Sequence, residues 1–144
     1  RTRTEALFEA AARADRIHGR LERLFPLLDL LCGDTCLRCP DPCCLHAAAY
    51  ADFRDLLFLT LIRTGRPPGQ LRHRSGDTCR YLTRCGCLLP RMQRPWICTW
   101  YLCAAQRALL ETWPAERRQK LLEGLDRIGR ERRRMEEAFL RGVT

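Results

Sequence analysis

Ten cysteines are the residues of this chain whose type and spacing point most directly to chemistry. All ten lie between Cys32 and Cys103, so both ends of the 144-residue chain lack cysteine. Thiolates bind soft metals such as zinc, or iron with inorganic sulfide. Cysteines two or three residues apart on a turn can direct their sulfurs to one centre. The sequence therefore predicts one or two metal centres held by thiolates.

Two other uses of the cysteines compete with metal binding. An even number of cysteines allows a disulfide framework. The long amphipathic segments on either side need no such staples, and the adjacent Cys43 and Cys44 cannot easily bridge each other. Buried, unreactive thiols explain one or two cysteines but not ten. Metal binding is the interpretation that accounts for at least eight of the ten.

Several short motifs in this region resemble those of a known family. The segment Cys36–Cys44 is similar to the signature of the YkgJ-type, or CxxCxxCC, proteins, to which zinc or iron chelation is ascribed. Downstream, Cys79-Arg-Tyr-Leu resembles the family's C-x-F/Y-L segment, Gly86-Cys87-Leu-Leu its G-C-x-I/L segment, and Arg94-Pro-Trp-Ile-Cys98 its R-P-x-x-C element. The resemblance covers roughly residues 32–103 and leaves both terminal segments outside it.

The resemblance implies metal chelation, without a settled reaction. The ligands it favours are Cys36, Cys39, Cys43, Cys44, Cys79, Cys87, Cys98 and Cys103. This chain reads C-x2-C-x3-C-C where the family has C-x2-C-x2-C-C, so one residue is inserted. Cys32 and Cys85 have no clear family equivalents, and they are additional ligands or bystanders.

The spacing of the cysteines favours an iron–sulfur cluster over zinc. A structural zinc site typically uses two separated C-x2-C clips, whereas this chain has one, Cys36–Cys39. Irregular spacing suits a cluster, whose several irons offer several attachment points. Around the thiolates we expect Trp96 to exclude water, Arg94 to donate to a cluster sulfur or a loop carbonyl, and His46 to lie in an outer shell or on the surface.

The flanking segments predict long helices. Apolar residues recur every three or four positions from Leu7 to Leu28 and again from Leu121 to Phe139, the pattern of an amphipathic helix. We expect Thr4 to cap the first helix and Pro26 to kink or end it near Phe25. A middle helix should follow Leu45 and stop at Gly65.

The last helix should be capped by Thr112, with Pro114 in its first turn. No series of residues predicts a strand. The expected fold is mainly α: one domain, 1–144, with helical segments 1–31 and 104–144 packed around a loop-rich, cysteine-ligated centre in 32–103.

The predicted function is a metal-binding protein with an electron-transfer, metal- or cluster-handling, or redox-sensing role. A zinc-stabilised interaction protein is one alternative, and an iron–sulfur enzyme with an open iron is another. The second rests on Cys32-x3-Cys36-x2-Cys39, the spacing of radical S-adenosylmethionine enzymes, although the chain is too short for their barrel. The net charge of +9 permits binding to nucleic acid, yet the sequence has no stacking aromatics interleaved with a basic face.

We expect a cytoplasmic protein with no membrane span. Formation of a homodimer through the terminal helices is an alternative that the sequence leaves open.

Overall fold

The computed structural model describes residues 2–45, 49–69 and 78–144. Its secondary structure is mainly helical, as the sequence predicts. The helices are α1 (Arg3–Asp34), α2 (Phe53–Leu61), α3 (Trp96–Trp100), α4 (Ala104–Thr112) and α5 (Ala115–Val143). Strands β1 (Leu82–Thr83) and β2 (Gly86–Cys87) form one short antiparallel hairpin, which the sequence pattern did not predict. No helix of the described segments combines the length and apolar character needed to cross a membrane.

The two terminal helices lie side by side and antiparallel within one chain. Arg3 donates to the carbonyl of Thr144 at 3.1 Å, and Arg13 pairs with Glu131 at 3.1 Å. Their apolar stripes face each other and form most of the core, with Ile17, Leu121, Ile128 and Met135 fully buried. At about 1.5 Å of rise per residue, α1 extends roughly 48 Å. We call α1 and α5 together the helical frame, and the cysteine region lies between them in the sequence.

The first helix does not end near Phe25. It passes through Pro26 and continues to Asp34, so that Cys32 belongs to its last turn. A proline inside a helix costs about 3 kcal/mol or more, and burial of Leu21, Leu24, Leu28 and Leu31 on either side of it offsets that cost. The cysteine region therefore starts on a helix and not in a loop.

Four predicted helix boundaries were wrong, the start of the middle helix by the widest margin. The cap of α1 is Thr2, whose side chain and that of Glu5 form a reciprocal capping box. The middle helix starts after Asp52 and ends at Leu61, with Ile62 as its C-terminal cap, and the residue with positive φ that follows is Arg63, at 59°, and not Gly65. Pro114 occupies the cap position of α5 without a side-chain bond, while Thr112 ends α4.

Turns connect these elements in the cysteine region. Single 3₁₀ turns cover Cys36–Arg38, Cys43–Leu45 and Arg91–Gln93. A second, smaller apolar core forms there from Tyr81, Leu89 and Cys79, with Cys44 and Cys87 packed against it. The Tyr81 hydroxyl donates to the carbonyl of Pro68 at 2.7 Å and ties this core to the loop after α2. The cysteines therefore sit beside a small core of their own.

Candidate metal centre

Four cysteines from four separate segments lie near one another, three of them at the small core. Cys44 lies in a 3₁₀ turn, Cys79 precedes the hairpin, Cys87 is in β2 and Cys98 is in α3. The backbone N–H of Cys79 donates to the carbonyl of Cys44 at 2.7 Å, and the hairpin places Cys87 opposite Leu82. We call Cys44, Cys79, Cys87 and Cys98 the hairpin cluster.

The thiols of the hairpin cluster are close enough to oppose one another's ionisation. Burial raises the pKa of Cys98 to about 12, and negative charge on Cys44, Cys79 and Cys87 adds to the rise, while Arg94 opposes it. The pKa of Cys44 is raised by burial and then by charge on Cys79 and Cys87. A cation among these sulfurs would reverse that opposition, because metal binding deprotonates thiols.

A second set of thiols meets where α1 ends and α4 begins. The Nε2 of Gln106 lies 3.3 Å from Cys36 Sγ and 3.7 Å from Cys32 Sγ. The N–H of Cys103 donates to Gln106 Oε1 at 3.2 Å, and the N–H of Gln106 donates back to Cys103 Sγ. We call Cys32, Cys36 and Cys103 the helix-end cluster.

The pKa values of Cys32 and Cys36 in the helix-end cluster are shifted in opposite directions. The pKa of Cys32 is lowered to about 6, chiefly by a hydrogen bond from the Cys36 thiol and then by Arg91. The pKa of Cys36 is raised, chiefly because its thiol proton is hydrogen-bonded to Cys32. Arg91 is itself held by Asp29 of α1. Cys32 is therefore the thiol of this cluster that ionises first, and its thiolate is stabilised by the Arg91 guanidinium.

The remaining cysteines lie outside these two sets. Cys39 and Cys43 are exposed, and the charge of Cys43 acts on Cys44. Cys85 is exposed in the turn between β1 and β2, where its N–H donates to the Thr83 hydroxyl at 3.1 Å. Within 2–45, 49–69 and 78–144, no three Cys, His, Asp or Glu side chains are arranged to hold a metal ion. The clusters are gathered thiols and not finished coordination shells.

The other predicted site residues have varied positions. Arg94 Nε donates to the carbonyl of Leu89 at 3.1 Å, so a loop carbonyl is the partner observed. Trp96 packs against the main core, with the guanidinium of Arg132 5.2 Å from its ring centroid. His46 lies outside the described residues.

Comparison with protein-family models, with curated proteins and with solved structures gives no match. The resemblance to the YkgJ-type proteins stays a prediction from motifs.

Sequence reasoning missed Gln106 altogether. The residue is only 6% exposed, and its side chain donates to the Cys32 and Cys36 sulfurs and accepts from the Cys103 N–H. The signal was present: Cys103 and Gln106 have the spacing of a capping box, in which position N3 bonds back to the cap. The neighbours of the thiolates that the sequence predicted were Arg94, Trp96 and His46.

Proposed function

We propose that this protein binds a metal centre through the hairpin cluster, and that the centre is an iron–sulfur cluster. The observation that carries the proposal is the convergence of Cys44, Cys79 and Cys87 from separate chain segments on one small core, with Cys98 near enough for their charges to act on its thiol. Cys44 and the cysteines of the three downstream motifs, which carry part of the family resemblance, contribute to this same place. Four thiolates are the usual ligand set of a cubane or a two-iron cluster.

Three of the four thiols of the hairpin cluster are at least partly shielded, which suits a group that must be kept from water. Cys79 is 8% exposed and packs with Tyr81 and Leu89, Cys44 and Cys87 are half-buried, and Cys98 is exposed. The charge of Arg94 reaches Cys98, and positive charge near the sulfurs raises the reduction potential of a cluster. When bound, the cluster would supply one-electron chemistry. A role in electron transfer, cluster handling or redox sensing follows from this environment.

The test is metal and acid-labile sulfide content, with an absorption spectrum, on anaerobically purified protein. We expect a brown protein with iron and sulfide in near-equal amounts. Cys79→Ser and Cys98→Ser should lose most of both, because each removes one ligand with little change in side-chain volume. Cys85→Ser is the matched control, since Cys85 lies in an exposed turn outside the cluster, and it should retain both.

Three outcomes contradict the proposal in different ways. Zinc without sulfide would replace the iron–sulfur cluster by a structural zinc site on the same cysteines. Equal metal in Cys79→Ser, Cys98→Ser and Cys85→Ser would remove the hairpin cluster as its location. Absence of both metals together with loss of free thiols would favour the disulfide framework.

A further inference from the structure

An open groove of about 690 Å³ lies on the helical frame, between α1 and α5. Arg20 and Arg23 of α1 line one side of the groove. The cationic side chains of the other side come from α5, and they are Lys120, Arg127 and Arg130. Ligand sites in proteins commonly have volumes of about 300–1,000 Å³. The groove is therefore large enough for a small ligand.

The base of the groove is apolar and narrow. Leu24 and Ile128 line it and are buried, and Gly124 lies between the two helices. A Cβ added to Gly124 would lie 2.8 Å from Leu24, so the absence of a side chain there permits the close approach of the helices. Polar contacts to a ligand must therefore come from the charged side chains along the two sides.

Cationic side chains outnumber carboxylates in this groove by five to two. The carboxylates belong to Glu123 and Asp126, and both accept hydrogen bonds from their own helix: Gln119 donates to Glu123 at 2.7 Å, and Arg130 donates to Asp126. Within the part of the chain that the structure describes, no ion pair engages the other four cations, which are Arg20, Arg23, Lys120 and Arg127. An excess of positive charge therefore faces the groove.

This arrangement of like charges is unfavourable unless an anion joins it. Arg20 and Arg23 are three positions apart on α1, as are Arg127 and Arg130 on α5, and like charges at this spacing repel on a helix surface. Among the described residues, none accepts a hydrogen bond from the buried Nε of Arg20. An anion between the two sides would offset the repulsion and supply acceptors to the guanidinium groups.

We propose that this groove binds a short polyphosphate chain, either inorganic or the phosphate tail of a nucleotide. Guanidinium groups bind phosphate oxygens in pairs, and four of the five cations are arginines. At about 1.5 Å of rise per residue, Lys120 and Arg130 are roughly 15 Å apart along α5, which suits a few phosphates better than a long polymer. Of the described side chains that line the groove, none is aromatic, so it has no platform for stacking bases.

Calorimetric titration of the protein, as purified, with inorganic triphosphate in about 0.15 M salt tests this site. We expect wild type to bind one triphosphate per chain, and its thermal midpoint to rise because the ligand binds the folded state. Arg23→Gln and Arg127→Gln should each weaken binding about 10-fold or more, since each removes charge-assisted hydrogen bonds.

The matched control is Arg133→Gln, which removes the same charge from an exposed position of α5 outside the groove. It should bind triphosphate within about 2-fold of wild type, because the Debye length at this ionic strength is about 8 Å. Circular dichroism at 222 nm verifies that each variant is folded. Equal weakening by Arg133→Gln and Arg127→Gln would overturn the groove as the site, as would failure of wild type to bind triphosphate.

Two further ligands identify the source of the phosphates. Adenosine triphosphate and inorganic triphosphate of equal affinity would support the site with the phosphate chain alone as its ligand. Adenosine triphosphate that binds at least about 10-fold more tightly would support the site with a nucleotide as its ligand. A duplex oligonucleotide that binds more tightly than either, and that loses affinity in Arg127→Gln, would overturn the polyphosphate in favour of nucleic acid.

Discussion

Asp55 and Arg132 show how much a single buried pair decides in this protein. Arg132 interrupts the apolar stripe of α5, yet it is only 3% exposed and donates to Asp55 at 2.6 Å. The same Asp55 oxygen accepts from the N–H of Trp96 at 3.0 Å, and its other oxygen accepts from the N–H of Asp52. One carboxylate thus joins α2, the start of α3 and α5, and α3 carries Cys98.

Removing one member of this pair should cost more stability than removing both. Burial raises the pKa of Asp55, and the charge of Arg132 opposes the rise, so desolvation cancels part of the attraction. We expect Arg132→Met to lower the free energy of unfolding by about 3–5 kcal/mol, because it leaves a buried carboxylate unpaired. Asp55→Asn combined with Arg132→Met should recover part of that loss. Urea unfolding of both single variants and the double variant measures this coupling.

The control for this cycle is Arg54, which pairs with Glu136 at a partly exposed position. Arg54→Met should change stability by about 1 kcal/mol or less, as exposed ion pairs contribute little. Equal losses of unfolding free energy in Arg54→Met and Arg132→Met would show that the Asp55 contact does not link the helices as we describe.

At the scale of elements, the close approach of α1 and α5 depends on small residues at particular positions. A Cβ added to Gly124 would lie 2.8 Å from both Cδ atoms of Leu24, a buried residue of α1. A Cβ added to Gly129, five positions along the same helix, would meet only Trp96, at 3.9 Å. The two glycines share a helix but not a steric environment.

Alanine substitution at these two glycines should therefore differ in its effect on stability. In a helix, alanine is favoured over glycine by about 1 kcal/mol, so Gly129→Ala should stabilise the protein by up to that amount. At Gly124, overpacking of about 1–3 kcal/mol should cancel or exceed the same gain. Thermal and urea unfolding of the two variants provides the comparison. A Gly124→Ala variant as stable as Gly129→Ala would mean that Leu24 moves aside at no cost.

At the scale of the whole molecule, the chain has a helical frame and a cysteine region with separate sources of stability. The frame buries a core of leucine, isoleucine and methionine side chains between α1 and α5. The cysteine region has a much smaller core, in which Cys79, Tyr81 and Leu89 are the fully buried members. Few buried apolar contacts mean low local stability, so the cysteine region depends more on whatever its thiols bind.

Metal removal should therefore affect the two parts differently. After treatment with a chelator under reducing conditions, we expect the circular dichroism at 222 nm to fall only slightly, because most helical residues belong to the frame. Proteolysis should become faster within residues 78–103, and the thermal midpoint should decrease, since a ligand that binds only the folded state stabilises it. Global loss of helical signal would show instead that the frame cannot fold without the metal.

The sequence by itself determined the mainly helical class and the two long terminal helices. Periodicity is a local property, and stripes such as Leu121–Phe139 record which face is buried. The sequence also identified the cysteines as the candidate metal ligands, because ten cysteines confined to one part of a chain are unusual in any fold. Helix ends were less well predicted, as at Pro26, where packing against α5 outweighs a local preference.

Only the tertiary structure decided which cysteines are neighbours. Cys32 and Cys103 lie 71 positions apart in the sequence and share Gln106, while the nearby Cys85 and Cys87 point to different environments. The pairing of Arg132 with Asp55 is likewise invisible along the chain, where each is a charged residue on an amphipathic helix. Contacts between distant segments depend on how the helices dock, and docking is set by the whole core and not by any local pattern.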